Sequence, residues 1–235
     1  TESQSIKGAM TVVFEDEEKT FPEMGVYLES SNRSQREAAW TSMADRMMQD
    51  NERLSEIFDE LVSIRHQMAL NAGFETYTDY MFKAMHRFDY TVEDCLEFHQ
   101  SVESVCMPIL RDINRNRLES LNLDQLRPWD VNEKGGSGPD IHGREPLRPF
   151  NTVEEMVVGL SEMFHEISRD LGSKFDSLVE MDTLDLETRK GKAPGGYQYY
   201  LEKSRSPFIF MNSAGLQGDL ETMIHEAGHA FHSLY

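Results

Sequence analysis

The sequence predicts a mainly α-helical, multi-helix unit, with a small β hairpin near its start and short strands before a final helix. Three observations carry that expectation. Apolar residues recur at helical spacing through most of the stretch from Ser34 to Leu171. Brief β-rich runs stand at either end of it, "TVVF" and then "TLDLET", "GGYQYYL" and "PFIFMN". The last residues, "ETMIHEAGHAFHSLY", place His225, Glu226 and His229 in the His-Glu-x-x-His pattern of a metal-binding helix.

Composition bounds the reading before any motif does. The 235 residues are 39% hydrophobic and 28% charged, too apolar for a disordered chain. No apolar run approaches the roughly 18 residues that span a bilayer, and the first residues lack the basic end and apolar stretch of a secretory signal. With 42 acidic against 23 basic side chains and a net charge of -19, nucleic acid and anionic membrane are poor partners. Cys95 and Cys106 are the two cysteines; on one continuous helix they would stand about 16 Å apart, beyond the roughly 7 Å a disulfide tolerates. Two free thiols point to a reducing, cytoplasmic setting.

Along the chain, Thr11–Phe14, an acidic turn, and Thr20 with Phe21 read as the hairpin. Ser31, Asn32 and Ser34 offer caps for a helix whose Ala39, Trp40, Met43 and Met47 form a core stripe. Leu54, Ile57, Phe58, Leu61, Ile64 and Met68 continue a helical face as far as Gly73, the stop signal. A shorter helix follows in "TYTDYMFKAMHRF". Thr91 caps the next, with Glu93 and Asp94 in its first turn and Arg111, Arg115 and Arg117 toward its far end, the arrangement that the helix dipole favours. "RPWDVNEKGGSGPDIHGREPLRPF" has no period; within it, residues 130–148 read as a mobile loop between helices of one unit that spans residues 1–235. Thr152 and Glu155 form a capping-box pattern for a helix running to about Leu171. Two or three short strands between about Leu184 and Met211 then feed a helix that begins near Asp219.

The chemistry sits on that last helix. Positions four apart share a helix face, so His225 and His229 can aim imidazole nitrogens at one Zn2+. Glu226, one step round, can reach a water on the metal and take its proton as it attacks a carbonyl. Ile224, Ala227, Gly228, Ala230 and Phe231 surround the motif without a charge, which predicts a buried helix, and Gly228 suggests a close approach to its backbone. A third protein ligand is not evident, and His232 is better placed as a packed histidine than as a ligand.

With these residues in place, the chain resembles the thimet oligopeptidase and oligoendopeptidase F family of zinc metallopeptidases. "RKGKAPGGY", "PFIFMN", and Gly215, Asp219 and Thr222 leading into "HEAGHAFH" follow the oligoendopeptidase pattern in order and spacing, and the likeness extends over roughly Thr11 to Tyr235. It departs at Ser213 and Ala214. The resemblance implies a helical fold enclosing a channel for short unfolded peptides, which a zinc endopeptidase hydrolyses through a zinc-activated water. It also implies a glutamate ligand and oxyanion-stabilising His and Tyr side chains downstream of the helix, so this chain would be an inactive part of the enzyme. On that footing Asn212, Ser213, Ala214 and Gly215 are expected at the substrate, with "PFIFMN" pairing to its backbone or, in the alternative, packing through Phe208 and Phe210 as an interior strand, and the expected partners are peptides, the missing C-terminal portion or a second copy. Two other readings stand beside it: a non-catalytic acidic helical binding module with a vestigial His-Glu-x-x-His helix, and a related zinc carboxypeptidase.

Overall fold

The computed structural model describes residues 1–131 and 140–235, and it is mainly helical, as the sequence predicts. The chain divides into two compact units, one made of Thr1–Met47 with Pro128–Tyr235 and the other of Met48–Arg127. Part of the loop expected at 130–148 falls on residues 132–139, outside the described residues.

The first unit opens with α1 (Glu2–Gly8), which the β-rich signal after it obscured; Thr1 and Gln4 cap it reciprocally. The hairpin follows as β1 (Thr11–Phe14) and β2 (Glu17–Thr20), antiparallel, with Thr11 opposite Thr20. Glu15 and Asp16 both take positive φ, the geometry of a two-residue turn that matches strand twist. Beyond it, Thr20 and Glu23 make a capping box and Pro22 sits in the first turn of α2 (Phe21–Leu28). By sequence a proline there marks an end to structure, yet in the first turn it begins a helix. In α3 (Arg33–Gln49) Ala39 is buried, but Met47 is half exposed, so the predicted core stripe narrows toward the helix end. Trp40 packs instead on Trp129, ring centroids 5.6 Å apart. Next to Trp129, fully buried Asp130 takes Arg33 at 2.8 Å and Arg36 at 3.4 Å. Burial is the largest influence on the Arg36 guanidinium and lowers its pKa, while Asp130 opposes that shift.

The main core lies where α8 (Val153–Ile167), α9 (Arg169–Glu180) and α10 (Gln217–Leu234) meet a three-stranded sheet. Thr152 caps α8, but Glu155 closes on the backbone of Asn151 at 2.7 Å rather than on Thr152, so the capping box is displaced by one residue. The helix expected to end near Leu171 breaks at Ser168, which is extended at φ −162°, and resumes as α9. At that corner Gly172 faces the ring of His165, whose Nε2 lies 2.7 Å from Asp176. Phe164, Phe175 and Phe231 form one aromatic cluster at 5.0–5.1 Å, each ring adding packing beyond its buried area.

The sheet has the order β3 (Leu184–Glu187), β5 (Ser206–Ser213), β4 (Tyr197–Leu201). β3 runs parallel to β5 and β4 antiparallel to it, with Gln198 opposite Ile209. Ile209 and Met211 point into the core against Met223 and Ala227 of α10. By strand alternation Tyr197, Tyr199 and Phe210 lie on the opposite face, where Tyr197 and Phe210 stack at 4.9 Å.

The second unit contains α4 (Asn51–Asn71), α5 (Tyr77–Ala84), α6 (Val92–Ser101) and α7 (Met107–Ser120). Gly73 ends α4 at φ +83°, as its position predicts, and Thr91 and Asp94 make the reciprocal cap of α6. A π-turn over Val102–Cys106 joins α6 to α7 without an interruption, ahead of Pro108, which has no N–H to give the helical ladder. Both cysteines are free. The helical face read from Leu54 to Met68 is real, but Phe58 and Ile64 are more than half exposed. No helix among the described residues is long and apolar enough to cross a membrane.

Candidate metal and peptide site

The site begins with the turn between β5 and α10. Gly215 turns the chain at φ +87°, a conformation that glycine adopts at little cost. Asp219 then gathers the turn: its Oδ2 accepts from the backbone N–H of Ala214 at 2.7 Å and of Leu216 at 2.9 Å, and from Ser213 Oγ at 3.3 Å. A carboxylate in the first turn also suits the helix dipole. Asn212 gives both hydrogens of its amide to the preceding loop, to the carbonyls of Ala193 and Gly195, each at 2.9 Å. The Asn212 amide hydrogens, the Ser213 hydroxyl and the Ala214 N–H therefore hold the turn and loop.

Along α10 the buried stripe is Met223, Ala227, Ala230 and Phe231, so the helix is half-buried rather than enclosed. His225 and His229 stand on its exposed side, with Glu226 between them and the core at 8% exposure. The two Nε2 atoms are 3.1 Å apart and the rings nearly perpendicular, at 87°. Two nitrogens about 2.0–2.1 Å from one tetrahedral zinc lie about 3.3 Å from each other, so the pair fits that ion with little movement. As the residues stand, the same separation suits a proton shared between the rings. No group of three or more His, Cys, Asp or Glu that could hold a metal occurs among the described residues; His232 is exposed. At Gly228 a β-carbon would meet nothing within 4 Å, so the close approach suggested by that glycine is not found there.

The glycine that does matter for packing is Gly196, at the entry to β4. A β-carbon there would come within 3.1 Å of Thr222 Cγ2, so the strand lies directly against the metal-motif helix. The loop leading to it is locked from behind. Lys192, its side chain 1% exposed, gives hydrogen bonds to Asp185 Oδ1 at 3.0 Å and to the carbonyls of Asp185 and Glu187 at 3.0 and 2.8 Å. Burial lowers the pKa of its ammonium, and Asp185 works against that. Asp185 is pushed down to about 2, first by its paired hydrogen bonds with Arg189 and then by Lys192. Sequence reasoning marked "RKGKAPGGY" without foreseeing the buried lysine; a lysine between two glycine-rich turns was the only signal.

The expected pairing of "PFIFMN" with a substrate meets a topological obstacle. β5 is the central strand, bonded to β4 over Ser206–Phe210 and to β3 from Ile209. β3 and β4 are the two edge strands of this sheet, each with a side left unpaired in it, and β4 is the one beside the motif helix.

Comparison with known proteins places this chain among peptidases. Residues 26–235 match the model of peptidase family M3, and the chain belongs to that family. Among solved structures it is similar to a protein described as an oligoendopeptidase F from Bacillus anthracis strain Ames, at 28% identity and a TM-score of 0.87. It is likewise similar to a Pz peptidase A solved with an inhibitor, at 29% and 0.88. The alignments cover 98% of this chain but 41% and 40% of those chains, so it spans about two fifths of their length. No curated protein matches.

Proposed function

We propose that this chain supplies part of the catalytic centre of a zinc-dependent endopeptidase that cleaves short, unfolded oligopeptides. The observation that carries the reading is the convergence of His225 and His229 Nε2 to 3.1 Å on the helix that lies against an open strand edge. Zinc held between those nitrogens supplies a Lewis acid for a carbonyl and makes water more acidic. Glu226, between the ligand pair and the core, is the base that takes the proton from the attacking water and returns it to the leaving amine. An extended peptide lies along β4, with main-chain hydrogen bonds to its unpaired side. Asn212, Ser213, Ala214 and Gly215 act in this reading by fixing that strand and helix to each other rather than by touching substrate through their side chains. The third zinc ligand and the oxyanion donors come from chain beyond these residues. Nothing observed favours a non-catalytic binding module.

The test uses the parent protein. Glu226→Gln retains one zinc per chain and loses at least about 100-fold in kcat on a quenched oligopeptide, whereas His225→Ala loses the zinc. Near-normal turnover by zinc-loaded Glu226→Gln rules Glu226 out as the base, and an active wild type free of metal rules out the zinc reading altogether.

A further inference from the structure

Gln198 is left unexplained by the packing. Its Nε2 is buried and donates to no acceptor, an unfavourable state unless something relieves it. Gln198 shares its sheet face with Ile209, its cross-strand partner, which packs among Met223 and Ala227, so the amide lies on the α10 side of β4. Glu226, in contrast, has carboxylate oxygens that still reach solvent. It is 8% exposed, and its carboxylate has no hydrogen bond or ion pair among the described residues.

Topology brings the two to the same level. The turn at Ala214–Leu216 sends α10 back against the direction of β5, and β4 is antiparallel to β5, so β4 and α10 run the same way. Gly196 lies against Thr222. Two residues further along the strand, about 6.6 Å, comes Gln198; four residues further along the helix, about 6 Å, comes Glu226. Thr222 and Glu226 occupy one stripe of the helix, the stripe turned to β4.

From this juxtaposition we infer that Gln198 is a positioning residue for Glu226: its amide N–H donates to one carboxylate oxygen and leaves the other free to take the proton. The inference rests on the peptidase reading above only for its catalytic consequence. No hydrogen bond joins the two side chains as they stand; each has three rotatable bonds, and pairing gives the orphaned donor an acceptor while the second carboxylate oxygen stays open to solvent.

The experiment is done on the parent protein with Gln198→Met, which keeps length and loses the donor, and with Gln198→Glu, which replaces the donor by a like charge. Both retain zinc, lower kcat about 10- to 100-fold and leave KM within about two-fold. In a Glu226→Gln background, Gln198→Met lowers the residual rate by less than about two-fold, because both changes act through one group. A readout independent of turnover is the urea midpoint: Gln198→Met lowers it when Glu226 is present and does not when Glu226 is already leucine. Unchanged kcat, a raised KM at constant kcat, or the same midpoint shift in both backgrounds overturns the inference. A wild type that cleaves no peptide overturns the peptidase reading instead, and the midpoint cycle then decides on Gln198 alone.

Discussion

Replacing Lys192 with methionine tests whether the loop before β4 is held by one buried cation. The wild-type ammonium is shielded from water, makes three hydrogen bonds to the β3 segment, and lies 4.5 Å from the centre of the Phe210 ring. Methionine fills most of the volume but supplies no donor. Asp185 keeps its two bonds to Arg189 at 2.6 and 2.8 Å, so the carboxylate is not abandoned. The cost falls on the carbonyls of Asp185 and Glu187, which lose an ionic donor in a buried setting. Removing one partner of a buried pair costs about 3–5 kcal/mol; with Arg189 still in place, the expected loss is about 2–4 kcal/mol. For a urea slope of about 2.5 kcal/mol per M, the midpoint of the parent protein falls by about 1 M. Loosening Ala193–Gly196 also frees the two carbonyls that hold Asn212, so kcat/KM on oligopeptides falls with it. A midpoint shift below about 0.3 M refutes the reasoning, since Lys192 would then contribute no more than a solvated side chain.

Three further outcomes are expected. Gly172→Ala places a β-carbon 2.3–2.6 Å from the His165 ring and destabilises by about 1–3 kcal/mol; adding His165→Ala recovers part of that, and a calorimetric scan that finds no recovery removes the clash as the cause. Asp185, held at about 2 by Arg189 and Lys192, contributes stability that is present above its unfolded value near 4 and is lost as pH falls from 4 toward 2. Asp185→Asn flattens the stability profile in that window by about 1–2 kcal/mol, and a profile parallel to wild type contradicts the assignment. Zinc titrated into the 235-residue chain binds at roughly micromolar affinity or weaker, because two imidazoles leave half a tetrahedral shell to water. Equally tight binding by this chain and by the parent protein would mean that the third ligand lies among these residues.

Much of the architecture was legible in local sequence because local physics writes it. Gly73, Thr91 with Asp94, and Thr152 end or begin helices through bonds that span three or four residues. The His225, Glu226 and His229 spacing places two imidazoles together by helix geometry alone. The strands "GGYQYYL" and "PFIFMN" announced themselves by composition. What no window of sequence contains is the order of those strands. That β5 is central and β3 and β4 are the edges depends on pairings between segments separated in the chain, and it is why the proposed peptide rail is Tyr197–Leu201 rather than "PFIFMN". The same holds for Lys192, whose partners lie across a turn, and for Gln198, an ordinary polar residue until its strand is laid against α10 and its amide is left buried without an acceptor. Periodicity and capping are short-range and can be read residue by residue; burial, an orphaned donor and an open edge are properties of how distant segments meet, and only the tertiary structure decides them.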